Sequence, residues 1–592
     1  MKHALLALGL ISLPILALAE DNTVVVTASR YEQPITNTLA AVTVLTEDDI
    51  ERYGDDSLAD LLSRLAGITI KPSGSLGSTQ SLLMRGSATN QIIVLIDGVR
   101  SGSATTGSAT INAIPLSSIK RIEVVRGPIS SLYGADGVGG VIQIFTHEPN
   151  EIGNDIELRA EYGSYNFRNI GTGFRVQTSN IMASANLNYL ATDGFDSTTL
   201  SSNGNEDRDG FEQWSGDLNV ESQITDSLVL GAIHNQSRGI AEYDDASCTS
   251  NCSDTLSTTN LMSSQLHLAY DLNPSWSLLT EFGRHLDDSE AEDSFPGTFT
   301  TERLTFNVSA QHKLDSGFSA ILGTDGYQDS VESTTNYEED SRNNLAVYAQ
   351  TQLESGDHRL QAGLRVDENS AYGTNVTGNT AFSTFIFRDI EAIISHGTAF
   401  KAPSFNDLYY PGYANPDLKP EESETVEVSV RQISNHGTWR LSAYHTKVKN
   451  LIQESNNKDS ILKGVEAEWS QQLGSYNIAL ALAYLDARDD DNDRLADRPQ
   501  WSGSAFLARQ FGRFGVDLDV QAENGRTSGD EDLDGFVLIG LGGEYNLTNE
   551  SQLFANVDNI FDVDYVLNHD GYNNFDYNTP GRTFKVGIEY HL

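Results

Sequence analysis

Oxygen is the donor atom this chain holds in excess. Acidic residues number 83 against 38 basic ones, for a formal net charge of -45. Such a balance fits either divalent-cation binding or plain solubility. It argues against nucleic acid as a partner, because phosphate binding needs clustered Lys and Arg. The densest acidic run, Asp489-Asp490-Asp491-Asn492-Asp493, lacks the glycine and distal glutamate of an EF-hand and reads as solvated loop. Cys248 and Cys252 are the only cysteines. After export a local disulfide is expected of them, since a zinc site would need about four ligands. Histidines are scattered, and G-x-S-x-G, H-E-x-x-H and P-loop lysine motifs are missing. No enzyme is indicated.

A different kind of chemistry, strand pairing, is offered by Asn22, Thr23, Val24, Val25, Val26, Thr27 and Ala28. They are strongly β-prone. They follow Lys2, His3, an apolar run from Ala4 to Leu18 and the small-residue site Ala17-Leu18-Ala19. Residues 1–19 therefore read as a secretory signal peptide, the run being short of the ~18–20 residues of a spanning helix. Residues 20–30 then form the exposed start of the mature chain. With no turn and partner strand directly after it, this stretch is expected to stand unpaired, as a template for strand addition by another chain.

Two regions must position these groups. Residues 31–147 read as a compact α+β domain. Ser57 caps a helix with Asp60 three residues on; Leu58, Leu61, Leu62 and Leu65 make one apolar stripe, and Gly67 closes it. Short strands are expected at Ser81 to Arg85, Ile92 to Asp97, Arg121 to Arg126 and Val141 to Thr146, with Ile92 to Ile96 buried on both faces. From residue 150 to 592 strict alternation takes over, as in Ala183-Leu187-Tyr189 against Ser184-Asn186-Asn188. Phe584, Val586, Ile588, Tyr590 and Leu592 alternate likewise with Lys585, Gly587, Glu589 and His591. At roughly 20 residues per strand and connection, this length gives about 20 or more strands able to span a bilayer. Mean hydropathy of -0.34 excludes a multi-helix membrane protein but not a β-barrel. Long polar loops are expected at 191–215, 239–260, 286–301 and 485–500.

The ordered motifs resemble those of the TonB-dependent outer-membrane receptors. Asn22 to Ala28 is similar to the family's Ton box. Met84-Arg85-Gly86, Val94 to Val99, and Ile122 to Pro128 with Tyr133-Gly134 resemble its plug motifs. Phe400-Lys401-Ala402-Pro403, Leu408-Tyr409, Asn415 to Glu421, Asn559-Ile560-Phe561-Asp562 and Pro580-Gly581-Arg582 resemble its barrel signatures. Leu592 departs from the aromatic terminal residue usual there. The resemblance implies a mainly β fold: an antiparallel transmembrane barrel of about 22 strands, plugged by the N-terminal domain, in the outer membrane and monomeric. It implies TonB as the energising partner and lipid around the barrel.

Within the family, Val25 to Pro34 is most similar to the start of the cobalamin (vitamin B12) transporters. That likeness implies a calcium site at Asp196, Asn205, Asp207, Asp209, Tyr243, Asp244 and Asp254. These offer five carboxylates, an amide oxygen and a tyrosine oxygen, against the six to eight oxygens Ca2+ takes. It also implies cobalamin contacts from Thr79, Ser81 and Ala88 on one plug loop and Thr105 and Thr106 on another. A ferric siderophore, haem or another corrinoid is the alternative cargo. A barrel lipase, the alternative from another class, would need a Ser/His pair but neither handle nor plug.

Overall fold

The computed structural model describes residues 24–146, 154–200, 205–248, 255–314, 316–434, 437–453, 456–529 and 531–592. The signal peptide, Asn22, Thr23, Cys252 and Asp254 lie outside them. Twenty-two antiparallel strands form one closed barrel. Its first strand, β10 (Asp155–Gly163), pairs with its last, Thr583–His591, and Leu592 exchanges backbone hydrogen bonds with Ile156.

Alternation decides which face is which. In the strand Phe211–Thr225, Gln213, Ser215, Asp217 and Asn219 are buried, while Trp214, Leu218 and Val220 point outward and are exposed. Apolar-out and polar-in inverts the soluble rule and fits a barrel bathed in lipid. Exposed Trp276, Phe387, Tyr476, Phe511, Phe514 and Tyr545 sit beside the short turns, as an interfacial girdle requires.

The lumen is filled by the N-terminal domain. Its nine strands are β1 (Val24–Val25), β2 (Gln33–Pro34), β3 (Ala41–Thr46), β4 (Ile68–Pro72), β5 (Gln80–Met84), β6 (Ile92–Ile96), β7 (Val99–Ser101), β8 (Arg121–Arg126) and β9 (Gly140–Phe145). Its helices are α1 (Glu47–Tyr53), α2 (Leu58–Ser63) and α3 (Ser130–Tyr133). A five-stranded sheet runs β3-β8-β9-β6-β7. Strand β6 is buried throughout and pairs in parallel with β9. It stops at Ile96 because Asp97 (φ 47) and Gly98 (φ 84) make the two-residue left-handed turn that matches hairpin twist.

Several expectations need correction. Helix α2 ends at Ser63, capped by Arg64; it carries Leu58, Leu61 and Leu62 of the stripe, while Leu65, buried in the same core, and Gly67 lie beyond its end. Residues 286–301 are mostly strand: Trp276–Glu292 and Gly297–Leu314 stay paired beyond the bilayer, so their polarity reports water, not a loop. Strands β3, β4 and β7 and helix α1 were not legible in the pattern. A five-residue helix, Phe405–Tyr409, interrupts the barrel region.

Plug and wall are joined by charge. Arg85, on the turn after β5, donates to Glu466 Oε1 (2.9 Å) and Oε2 (2.7 Å) and to Glu427 Oε2 (2.6 Å), with its guanidinium 4.4 Å over the Tyr444 ring. All three charged groups are buried. Replacing Arg85 with Met is expected to destabilise the docked plug by about 3–5 kcal/mol, because two carboxylates stay buried without a cation. Denaturant titration of the purified receptor, followed by a probe on the plug, measures this.

Candidate functional site

Two loops at the mouth of the barrel, described over residues 193–200 with 205–210 and over 243–248 with 255, carry most of the acidic residues of interest. Gly194 (φ +61) is what lets the first begin, since a Cβ there would lie 1.7 Å from the Asp209 carbonyl. The turn brings Asp196 and Asp209 onto Asp244 of the second loop, with one carboxylate oxygen of each within 4.8 Å of the others. Asp209 Oδ2 accepts from the Ser197 N–H (2.7 Å), Asp196 Oδ1 from the Thr198 N–H (3.3 Å) and Asp244 Oδ2 from the Thr198 hydroxyl (2.5 Å). Asn205 donates to the Asp245 carbonyl (3.3 Å). Its side-chain oxygen is buried and has no hydrogen-bond partner among the described residues, a costly state unless something electropositive meets it.

Burial, with repulsion from Asp209, Asp196 and Asp207, pushes the Asp244 carboxyl up to about 7. Burial pushes Asp209 up to about 6, helped by Asp207 and Asp196, and raises Asp196. Three crowded carboxylates and an orphaned amide oxygen are the donor chemistry of a hard divalent cation. Of the other expected ligands, Asp207 is exposed but close enough to act on the three. The Tyr243 phenol donates to Asp293 Oδ2 (2.6 Å), and its carbonyl accepts from the Thr255 hydroxyl.

Two features of the mouth had no sequence signal. A hairpin, Asn568–Asp570 with Phe575–Tyr577, zips onto the first loop: Asn578 donates to the Asp196 (2.9 Å) and Thr198 (2.8 Å) carbonyls. The plug reaches the same loop. Ser75 N–H donates to Ser197 Oγ (3.0 Å) and Ser75 Oγ to the Asp209 carbonyl (2.6 Å). The acid cluster is thus tied directly to the plug apex. Of the expected plug contacts, Thr79, Ser81 and Thr106 are exposed and Ala88 is half-buried. Thr105 is buried, its hydroxyl 2.6 Å from Ser103 Oγ.

At the other end of the plug, the handle is not a free strand. Val24–Val25 folds back on Gln33–Pro34 as an antiparallel pair, through a turn in which Arg30 takes φ 61. The unpaired state expected from sequence fails because a partner lies eight residues on. Val25 and Thr27 are 0% exposed. The Val26 (3.0 Å) and Thr27 (2.9 Å) N–H groups both donate to Glu123 Oε2, and Thr27 Oγ1 donates to Gln143 (3.0 Å). Arg30 ties the turn to the wall through Asp325 (2.8 Å), between the rings of Tyr133 and Tyr348, each 4.6 Å away. Charged acceptors make bonds about twice as strong as neutral ones. Glu123→Gln is therefore expected to speed amide exchange at Val26 and Thr27 about tenfold, read by hydrogen-exchange mass spectrometry.

Comparison with known proteins covers most of the chain. The family model "TonB-dependent Receptor Plug Domain" matches residues 34–141, and "TonB dependent receptor-like, beta-barrel" matches 149–560. The protein named vitamin B12 transporter BtuB of Photobacterium profundum is 31% identical over 96% of this chain and 97% of its own. Its namesake in Vibrio cholerae is 29% identical over 92% of each. Among solved structures, the ferric enterobactin receptor PfeA of Pseudomonas aeruginosa superposes with TM-score 0.82 at 18% identity, covering 96% of this chain and 100% of that one. The siderophore receptor PiuA of Acinetobacter baumannii gives 0.80 at 14%, covering 95% and 98%. At those identities the structures show the fold alone.

Proposed function

This chain belongs to the TonB-dependent receptor family of the outer membrane, a family of transporters and not of enzymes, and we propose that its cargo is cobalamin, bound with the help of calcium. The whole-length relationship to proteins named vitamin B12 transporters carries the cargo. The cluster of Asp196, Asp209 and Asp244, together with an unpartnered Asn205 oxygen on the same loop as two of them, supports the ion.

Calcium, when bound, supplies the charge that lets these carboxylates lie together. Asp196, Asn205, Asp209 and Asp244 would hold it, joined by Asp207, Tyr243 and Asp254 as the loops settle. Ordering the loops presents one wall of a binding mouth. The floor is the plug apex, where the exposed hydroxyls of Thr79, Ser81 and Thr106 can pair with the amide side groups of a corrinoid. The plug fills the lumen, so bound cargo does not diffuse through. Receptors of this family work with TonB, and residues 22–28 are the strand offered to it, by β-addition after they leave Glu123.

Labelled cyanocobalamin binding to outer membranes tests the reading. Saturable binding that weakens on calcium chelation and resists competition by ferric enterobactin is expected. Binding indifferent to chelation removes the ion from the account; no binding removes the cargo.

A further inference from the structure

The wall strands Glu421–Ser434 and Gly437–Gln453 carry a pair of arginines directly opposite one another, Arg431 and Arg440. Like charges at such a position repel. Both face the lumen and line a cavity of about 430 Å³ between wall and plug, with Thr43, Arg52, Arg64 and Glu468 also at its border. The strands' short turn is three residues from each arginine, so the pair lies roughly 10 Å from the periplasmic end.

The carboxylates nearby are already committed. Glu391 is shared by Arg431 (2.7 Å) and Arg359 (3.3 Å). Glu468 takes Arg126 (2.8 Å), and Arg64 is held by Asp55 (2.6 Å) and Asp519 (3.0 Å). Arg440 makes no ion pair among the described residues; its Nη2 donates to the Ala40 carbonyl (2.9 Å). Arg431, 2% exposed, likewise gives Nη2 to the Thr36 carbonyl (2.9 Å). What remains is one Nη1 on each arginine, both buried and both without a hydrogen-bond partner among the described residues. Other buried side-chain atoms are unfilled as well, but here two unfilled cationic donors are direct register partners on the border of one cavity, which is costly for both unless an anion meets them.

We propose that Arg431 and Arg440 form a binding site for a tetrahedral phosphate-type oxyanion, free or as a diester, inside the barrel near its periplasmic end. Two neighbouring guanidiniums suit this chemistry because the free Nη1 of each can give a charge-assisted hydrogen bond to a different oxygen of the same anion. Two sources could supply it. One is inorganic phosphate. The other is the phosphodiester of a transported corrinoid, a source that rests on the cargo proposed above, whereas the site itself does not.

Crystals of the full-length receptor soaked in selenate test the site. An anomalous peak between the two Nη1 atoms is expected, lost in Arg440→Gln and kept in Arg440→Lys. No peak in the unaltered receptor, or an equal peak in Arg440→Gln, overturns the proposal. Uptake by cells then separates the sources. If the diester is the occupant, Arg440→Gln slows cyanocobalamin uptake about tenfold, the worth of one charge-assisted bond, and leaves cobinamide, which has no phosphate, unchanged. If the selenate peak is lost and both uptakes stay the same, free phosphate is the occupant. A selenate peak in a receptor that binds no cobalamin leaves the site standing and fails only the cargo.

Discussion

Val25→Pro is expected to reduce energised uptake to background while leaving ligand binding at the cell surface at its normal level. Strand addition needs the backbone N–H groups of the handle, and proline removes one and fixes φ. The barrel offers no bypass, because the plug sheet and its charged joints fill the lumen. Binding should be spared because the mouth lies at the opposite end of the plug from Val25. Deleting residues 22–28 should have the same two effects. Uptake that survives either change, or binding that falls with it, would show that the handle does something else. The docked state adds a requirement. Val25 and Thr27 are buried, so the partner meets the handle only after the bonds to Glu123 and Gln143 and the Arg30 anchor have opened. Glu123→Gln lowers that barrier and should raise the affinity of the unliganded receptor for the partner's periplasmic domain.

The second large effect concerns the acid cluster. Changing both Asp209 and Asp244 to Asn keeps size and hydrogen-bonding shape but removes two charges. Calcium affinity should fall by at least about 100-fold, roughly 2.8 kcal/mol, measured by calorimetric titration of the purified receptor. The same variant should make the loops more ordered in the absence of calcium, because repulsion is relieved while the Ser197 and Thr198 contacts are retained. Limited proteolysis within 193–210 reads that second effect. A mere loss of ligands would lower affinity without slowing proteolysis; unchanged affinity would remove the cluster as the ion's seat.

The barrel was legible because its rule is local. Each strand alternates, so Phe584, Val586 and Ile588 announce a lipid face from their own spacing. The limits of the strands were not, because pairing continues into water: Asp287, Asp288 and Ser289 look like loop yet sit in register with Thr301, Thr300 and Phe299. The plug hid its short edge strands for a related reason. Ala41 to Thr46 has no clean period because both of its faces are covered, Leu45 packing into one apolar cluster and Val42 and Val44 into another. Carboxylates of the acid cluster stood out by type and by resemblance, but not the hairpin that clamps their loop, since Asn568 to Tyr577 contains no motif. The handle misled because strand propensity says that a segment will pair, not with whom.

Strand β3 lies at the edge of the plug sheet, joined to it only by β8, and it is the first strand of that sheet to feel tension arriving from the handle. Edge strands can leave a sheet without breaking the pairing among the others. Val42 to Thr46 also form one side of the arginine cavity. Mechanical failure of this one strand would therefore open the cavity while β8, β9, β6 and β7 stay assembled, so the plug has a built-in order of rupture and need not unfold as a whole. A cystine stapling Thr43 to its register partner Val124 should then jam the receptor in a bound, non-transporting state that reductant releases.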